Sequence, residues 1–131
     1  MARFCLHITG APYTSGAPFS ALRFAQAALQ QGHQLVSVFL SLDGVYLASD
    51  RLCPPQDELN LRDAWQTLAQ THALCLQVCV AASLKRGILS EAEAQRHGLQ
   101  QGNLAPGFEL TGMGQLVDAL HQSDRCLTFS G

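Results

Sequence analysis

Lysine is almost missing from this chain: Lys85 stands alone among 131 residues, beside seven arginines. Charged residues make up 14% of the sequence, where about a quarter is usual. No basic run occurs, and no aromatic residues interleave with basic ones, which argues against tight direct binding to nucleic acid by this chain alone. No apolar run approaches the ~20 residues of a membrane span; the richest stretch, residues 74–84, is about half that and contains Gln77. CxxC pairs, Walker loops, GxGxxG and Gly-x-Ser-x-Gly elbows are all lacking. So are paired His or Cys ligands at metal spacing, so neither a metal nor a cofactor is expected. The five cysteines are an odd set for a disulfide framework. The opening Met1-Ala2-Arg3-Phe4 has no signal-peptide core, and the expected compartment is the cytoplasm.

What is present is a hydrophobic fraction of 47% in a length that suits one compact domain, expected over residues 1–131. Little charge on a small folded chain implies that some surface is covered by partner subunits. Alternation of Phe4, Leu6 and Ile8 predicts a strand over residues 3–9. A Gly/Pro/Ser/Thr loop follows, then helical spacing over 19–31 closed by Gly32. A strand is expected at 35–40, a turn at Asp43-Gly44, and a long surface loop at 48–60 with Pro54-Pro55. Leu61, Trp65 and Leu68 mark a helix over 61–71, and residues 74–80 read as the most buried strand. A short helix at 81–86, a capped helix at 91–97 opened by the Ser90–Glu93 capping box, a strand at 108–110, a helix at 115–121 and a strand at 125–129 complete the chain. Strands alternating with helices predict an α/β fold in three layers, a mainly parallel sheet with helices on both faces. The functional crevice of such a sheet lies beyond the carboxyl ends of its strands, where the loops after Thr9, Leu40 and Cys79 converge.

Cys79 ends the central strand just before a short helix, where the unpaired N–H groups and positive helix end favour a thiolate. It is the candidate catalytic residue, with Lys85 and Arg86 close enough in sequence to add positive potential. As a buried small residue it would instead be inert filler. Cys75, ~13 Å away along a strand, is too distant for a shared disulfide or zinc and is expected in the core, as are Cys5 and Cys126. Cys53 lies in the surface loop with nothing activating nearby. His33 and His72 fall at the far end of the sheet, and His97 at a helix end. The loop over residues 9–16 also suits the phosphate of a flavin, although its prolines remove donors.

The run Val78-Cys79-Val80-Ala81-Ala82-Ser83-Leu84-Lys85-Arg86-Gly87-Ile88, followed by Glu91-Ala92-Glu93-Ala94, resembles the DsrE-like sulfur-carrier family. Further likeness lies in Asp43-Gly44-Val45-Tyr46, Ala64-Trp65, Gly107-Phe108 and Thr111-Gly112-Met113-Gly114. The resemblance implies a Rossmann-like, flavodoxin-like fold and a persulfide on Cys79. It also implies a heterohexamer with TusB-like and TusC-like subunits, a TusA-like donor and a TusE-like acceptor. The sulfur would end as the 2-thio group of a tRNA wobble uridine. A carrier for dissimilatory sulfur oxidation, a non-catalytic scaffold subunit and a flavin-binding protein are the alternatives.

Overall fold

Five parallel strands order the architecture of the computed structural model, which describes residues 1–131. β1 (Arg3–Ile8), β2 (Gln34–Leu40), β3 (Leu76–Cys79), β4 (Phe108–Thr111) and β5 (Arg125–Phe129) stand in the order β4-β3-β2-β1-β5. Parallel neighbours require crossovers, and helices supply them. These are α1 (Ala17–Gln30), α2 (Leu61–His72), α3 (Val80–Lys85), α4 (Glu91–Arg96) and α5 (Met113–Gln122). The chain steps outward from β1 to β4, then returns through α5 to lay β5 on the free side of β1.

Register assigns the two faces. Phe4 pairs with Leu35, Leu6 with Val38 and Ile8 with Leu40. This face takes α1: Phe4 meets Phe24 edge-on at 5.2 Å. Trp65 of α2 is fully buried, and its Nε1 donates to Pro18 O at 3.2 Å, which ties α2 to the first turn of α1. That bond satisfies the one polar atom of the ring. The opposite face is more polar. It carries the paired Cys5 and Ser37, with His7 beside Phe39 and Phe39 beside Gln77. Ser37 Oγ donates to Gln77 Oε1 at 2.8 Å. Gln115, Asp118 and Ala119 of α5 line a small cavity with these two residues, so α5 covers this face. The expected three layers are therefore present.

Element ends shift for local reasons. α1 begins two residues early because Pro18, lacking an N–H, suits a first helical turn. The Ser90 Oγ accepts from Glu93 N at 3.2 Å as expected. The reciprocal half of the capping box is replaced: Glu93 pairs with Arg96 at 2.9 Å, and Glu91 Oε1 accepts from Gly102 N at 3.1 Å. β3 starts at Leu76 and not at Leu74. Ala73, the C-cap of α2, is left-handed at φ 54, and two residues without regular structure follow before β3, although Cys75 O already accepts from Val38 N at 3.3 Å.

Candidate functional site at the β3–α3 junction

Cys79 is both the last residue of β3 and the N-cap of α3, at φ −62, ψ 118. No loop residue separates strand from helix, because Val80 already turns helical. Its partner across the strand pair is Thr111 on β4. On its other side the register runs Leu40 to Val78, and the next residue of that strand, Ser41, is still extended at φ −142, ψ 171. Ser41, Cys79 and Thr111 thus form a row across the carboxyl edge of the sheet, on the more polar face.

The segment after Ser41 is a 3-10 turn, Leu42–Ala48. Asp43 on this turn accepts from Arg86 Nε at 2.8 Å, and Arg86 Nη1 donates to Ala82 O at 3.2 Å. The pair clamps the turn to the end of α3. Arg86 is thus paired with a carboxylate, and Lys85 is exposed in the last turn of α3.

Access differs from the expectation of an accessible crevice, for Cys79 is only 7% exposed. α3 follows the strand directly and packs on β3, β4 and the 3-10 turn. Chemically the site offers one sulfur on the N-cap residue of α3, a helix whose first-turn N–H groups have no side-chain cap. Those donors suit an anionic sulfur.

The remaining thiols are unlike it. Cys75, expected in the core, is exposed, because the strand begins one residue later. Its Sγ lies 4.0 Å from Glu109 Oε2. Local burial, then the Glu109 charge, push its pKa up against an opposing hydrogen bond from Gln77. Cys53 is exposed in its loop. Cys5 is fully buried beside its β5 neighbour Cys126, which is half-buried. Burial, followed by the hydrogen bond and charge of Cys126, pushes the Cys5 thiol from 9.0 up to about 12.

That shift has a measurable sign. The native chain keeps a proton that the unfolded chain gives up above pH ~9, so stability falls with rising pH by at most ~1.4 kcal/mol per unit. Melting temperatures at pH 8 and pH 10 should therefore diverge more in the wild type than in Cys5→Ala. Equal pH slopes in the two proteins would contradict the raised pKa.

His7, on the face of Cys79, places Nε2 at 2.6 Å from Ser41 Oγ and stacks edge-on against Phe39. Burial lowers its pKa, so the ring is held neutral. Where β1 and β5 separate, a cavity of about 660 Å³ opens, lined by Thr9, Ser15, Ser20, Asp43 and Thr128 among others. It suits a flavin phosphate poorly. The Ala17 N–H is taken by Ser15 Oγ at 3.0 Å and the Ser15 N–H by Ala11 O at 3.0 Å. Asp43 would also repel the anion.

Residues 2–129 match the model of the DsrE/DsrF-like family. The chain belongs to that family. Within the DsrE/DsrF-like family it is similar to a sulfurtransferase TusD homolog of Vibrio parahaemolyticus, 48% identical over 126 residues and 96% of each chain. A sulfurtransferase TusD of Salmonella newport is 46% identical over 127 residues, covering 97% of this chain and 99% of the relative. A TusD homolog of Vibrio vulnificus is 45% identical over 127 residues, 97% of each. Among solved structures, the ychN protein from E. coli superposes with a TM-score of 0.77 at 24% identity, over 98% of this chain and 100% of that one. That likeness carries the DsrE-like fold.

The sequence singled out Cys79 but not the groups around it. Asp43 read only as a turn residue, and its ion pair with Arg86 spans 43 positions. Ser83 and Thr111 stand inside the family-like runs with no role attached to them, and Ser41 carries no signal.

Proposed function

We propose that this chain is a sulfurtransferase of the TusD type, carrying sulfur as a persulfide on Cys79. The observation that carries the reading is the placement of Cys79 at the carboxyl edge of the sheet, at the N-cap position of a helix that has no side-chain cap. Relatives 45–48% identical over nearly the whole chain and named sulfurtransferase TusD support it.

The Cys79 thiolate attacks the outer sulfur of a donor persulfide. The donor S–S bond breaks, the donor leaves as a thiolate, and a Cys79 persulfide forms. An acceptor thiolate then attacks that outer sulfur and expels the Cys79 thiolate. Sulfur moves at constant overall oxidation state, and no further oxidant or reductant enters. Exposure of only 7% shields the persulfide from free thiols, so a donor has to dock to reach it.

By the same reading the donor is TusA-like, the acceptor TusE-like, and TusB-like and TusC-like subunits complete a heterohexamer. The sulfur ends in the 2-thio group of a tRNA wobble uridine, and the compartment is the cytoplasm. Half-exposed Met113, Val117 and Leu120 on α5 support a covered face. No helix is long and apolar enough to cross a membrane.

The test is peptide mass spectrometry after incubation with a persulfidated TusA-like donor. The mass of one sulfur atom should appear on the Cys79 peptide. Sulfur on the exposed Cys53 or Cys75 with Cys79 unmodified would overturn the assignment.

A further inference from the structure

Three buried side-chain oxygens have no hydrogen-bond partner: Ser83 Oγ, Glu93 Oε2 and Thr111 Oγ1. Glu93 Oε2 has His97 Nε2 at 3.8 Å, which accounts for it. The two hydroxyls have no such neighbour, and both lie on elements that adjoin Cys79. Thr111 is its register partner on β4, so the two side chains share a face on strands ~4.8 Å apart. Ser83 lies one turn further along the helix that Cys79 caps and is 0% exposed. Helical side chains lean toward the helix N-terminus, which tilts the Ser83 hydroxyl toward the first turn of α3. An orphaned hydroxyl is disfavoured in a folded protein, and two on elements that adjoin one thiol call for an occupant.

We propose that Ser83 and Thr111 donate hydrogen bonds to the outer sulfur of the Cys79 persulfide. This rests on the sulfur-carrier reading of Cys79. Neither hydroxyl makes a hydrogen bond to the Cys79 thiol, and both are left unsatisfied. A persulfide adds a second sulfur ~2 Å beyond the first. That atom ionises more readily than a thiol, and an anion accepts strongly from O–H donors. The two hydroxyls thus hold the cargo and leave the empty carrier less well satisfied. Together they favour the loaded state and slow the loss of sulfur to stray thiols.

The variants are Ser83→Ala, Thr111→Val and the pair together, with Thr111→Ser as the conservative control. Each is loaded with a persulfidated donor, and discharge of the Cys79 persulfide by dithiothreitol is followed by mass. Loading should survive in all four. Discharge should quicken about tenfold per hydroxyl removed, the worth of a hydrogen bond to a charged group, and its pH midpoint should rise. Thr111→Ser should behave as wild type. Melting temperatures of the Ala and Val variants should hold or rise, since an orphaned group is removed. A fall in melting temperature would reveal a structural bond, and wild-type discharge rates in the double variant would show that the hydroxyls do not touch the sulfur; either result overturns the proposal. Failure of the wild type itself to load would instead remove the carrier reading beneath it.

Discussion

Cys79→Ser abolishes sulfur loading and leaves the chain folded. A serine hydroxyl is far too weak an acid to supply the anion that attacks sulfane sulfur, so the loss should be complete rather than partial. Stability should change modestly. The position is buried, and placing a hydroxyl there without a partner costs ~1–3 kcal/mol. Thr111, paired in register with Cys79, carries a hydroxyl that lacks a partner, so the low end of that range applies. A loss of about 1 kcal/mol lowers the melting temperature by roughly 3–6 °C in a chain of this size. Cys75→Ser is the control. It sits at an exposed position, where substitutions usually stay within ~0.5 kcal/mol, and it should load and transfer sulfur normally. Peptide masses, thermal melts and 2-thiouridine levels in complemented cells read all three effects. Normal loading of Cys79→Ser, or loss of thiouridine in a folded Cys75→Ser, would sink the assignment.

Much of the fold was legible because periodicity reports which face a residue takes. Phe4, Leu6 and Ile8 alternate in the sequence and do line one face of β1. Gly32 and Gly98 close helices at φ +86 and φ +75, conformations that glycine adopts freely. Cys75 shows where periodicity fails. The apolar run continues through it, so nothing in the pattern marks the start of β3. The boundary is set by Ala73, whose left-handed backbone occurs without the glycine that would have announced it. The burial of Cys79 was likewise hidden. A strand followed by a helix was readable, but the absence of any connecting residue was not. The clamp between Asp43 and Arg86 joins residues on separate loops, and no local signal can foretell such a pairing.

Gly44→Ala should cripple the molecule from a position that only marked a turn in the sequence. A Cβ there would collide with Ile8 O and lie 2.9 Å from Ile8 C and 3.3 Å from Thr9 Cα. All three are backbone atoms, and Ile8 O already accepts from Ser41 N at 3.1 Å. No side chain can swing aside, so the 3-10 turn has to lift away from the end of β1. Three consequences follow together. Val45, Leu47 and Ala48, now fully buried, lose their packing. Asp43 withdraws from Arg86 and the clamp on α3 opens. Ser41 leaves both His7 and its place beside Cys79. Overpacking against rigid neighbours typically costs 1–3 kcal/mol, and with the turn displaced the loss should reach about 3 kcal/mol or more. The melting temperature should fall by about 10 °C or more, and Cys79 should load sulfur poorly even where the variant is folded. Gly114→Ala supplies the contrast. It lies within α5 with open space around it, and alanine there should stabilise the helix by ~0.5–1 kcal/mol. A Gly44→Ala protein that melts with the wild type and loads sulfur at the same rate would mean that the turn is not seated on β1 and does not organise the site.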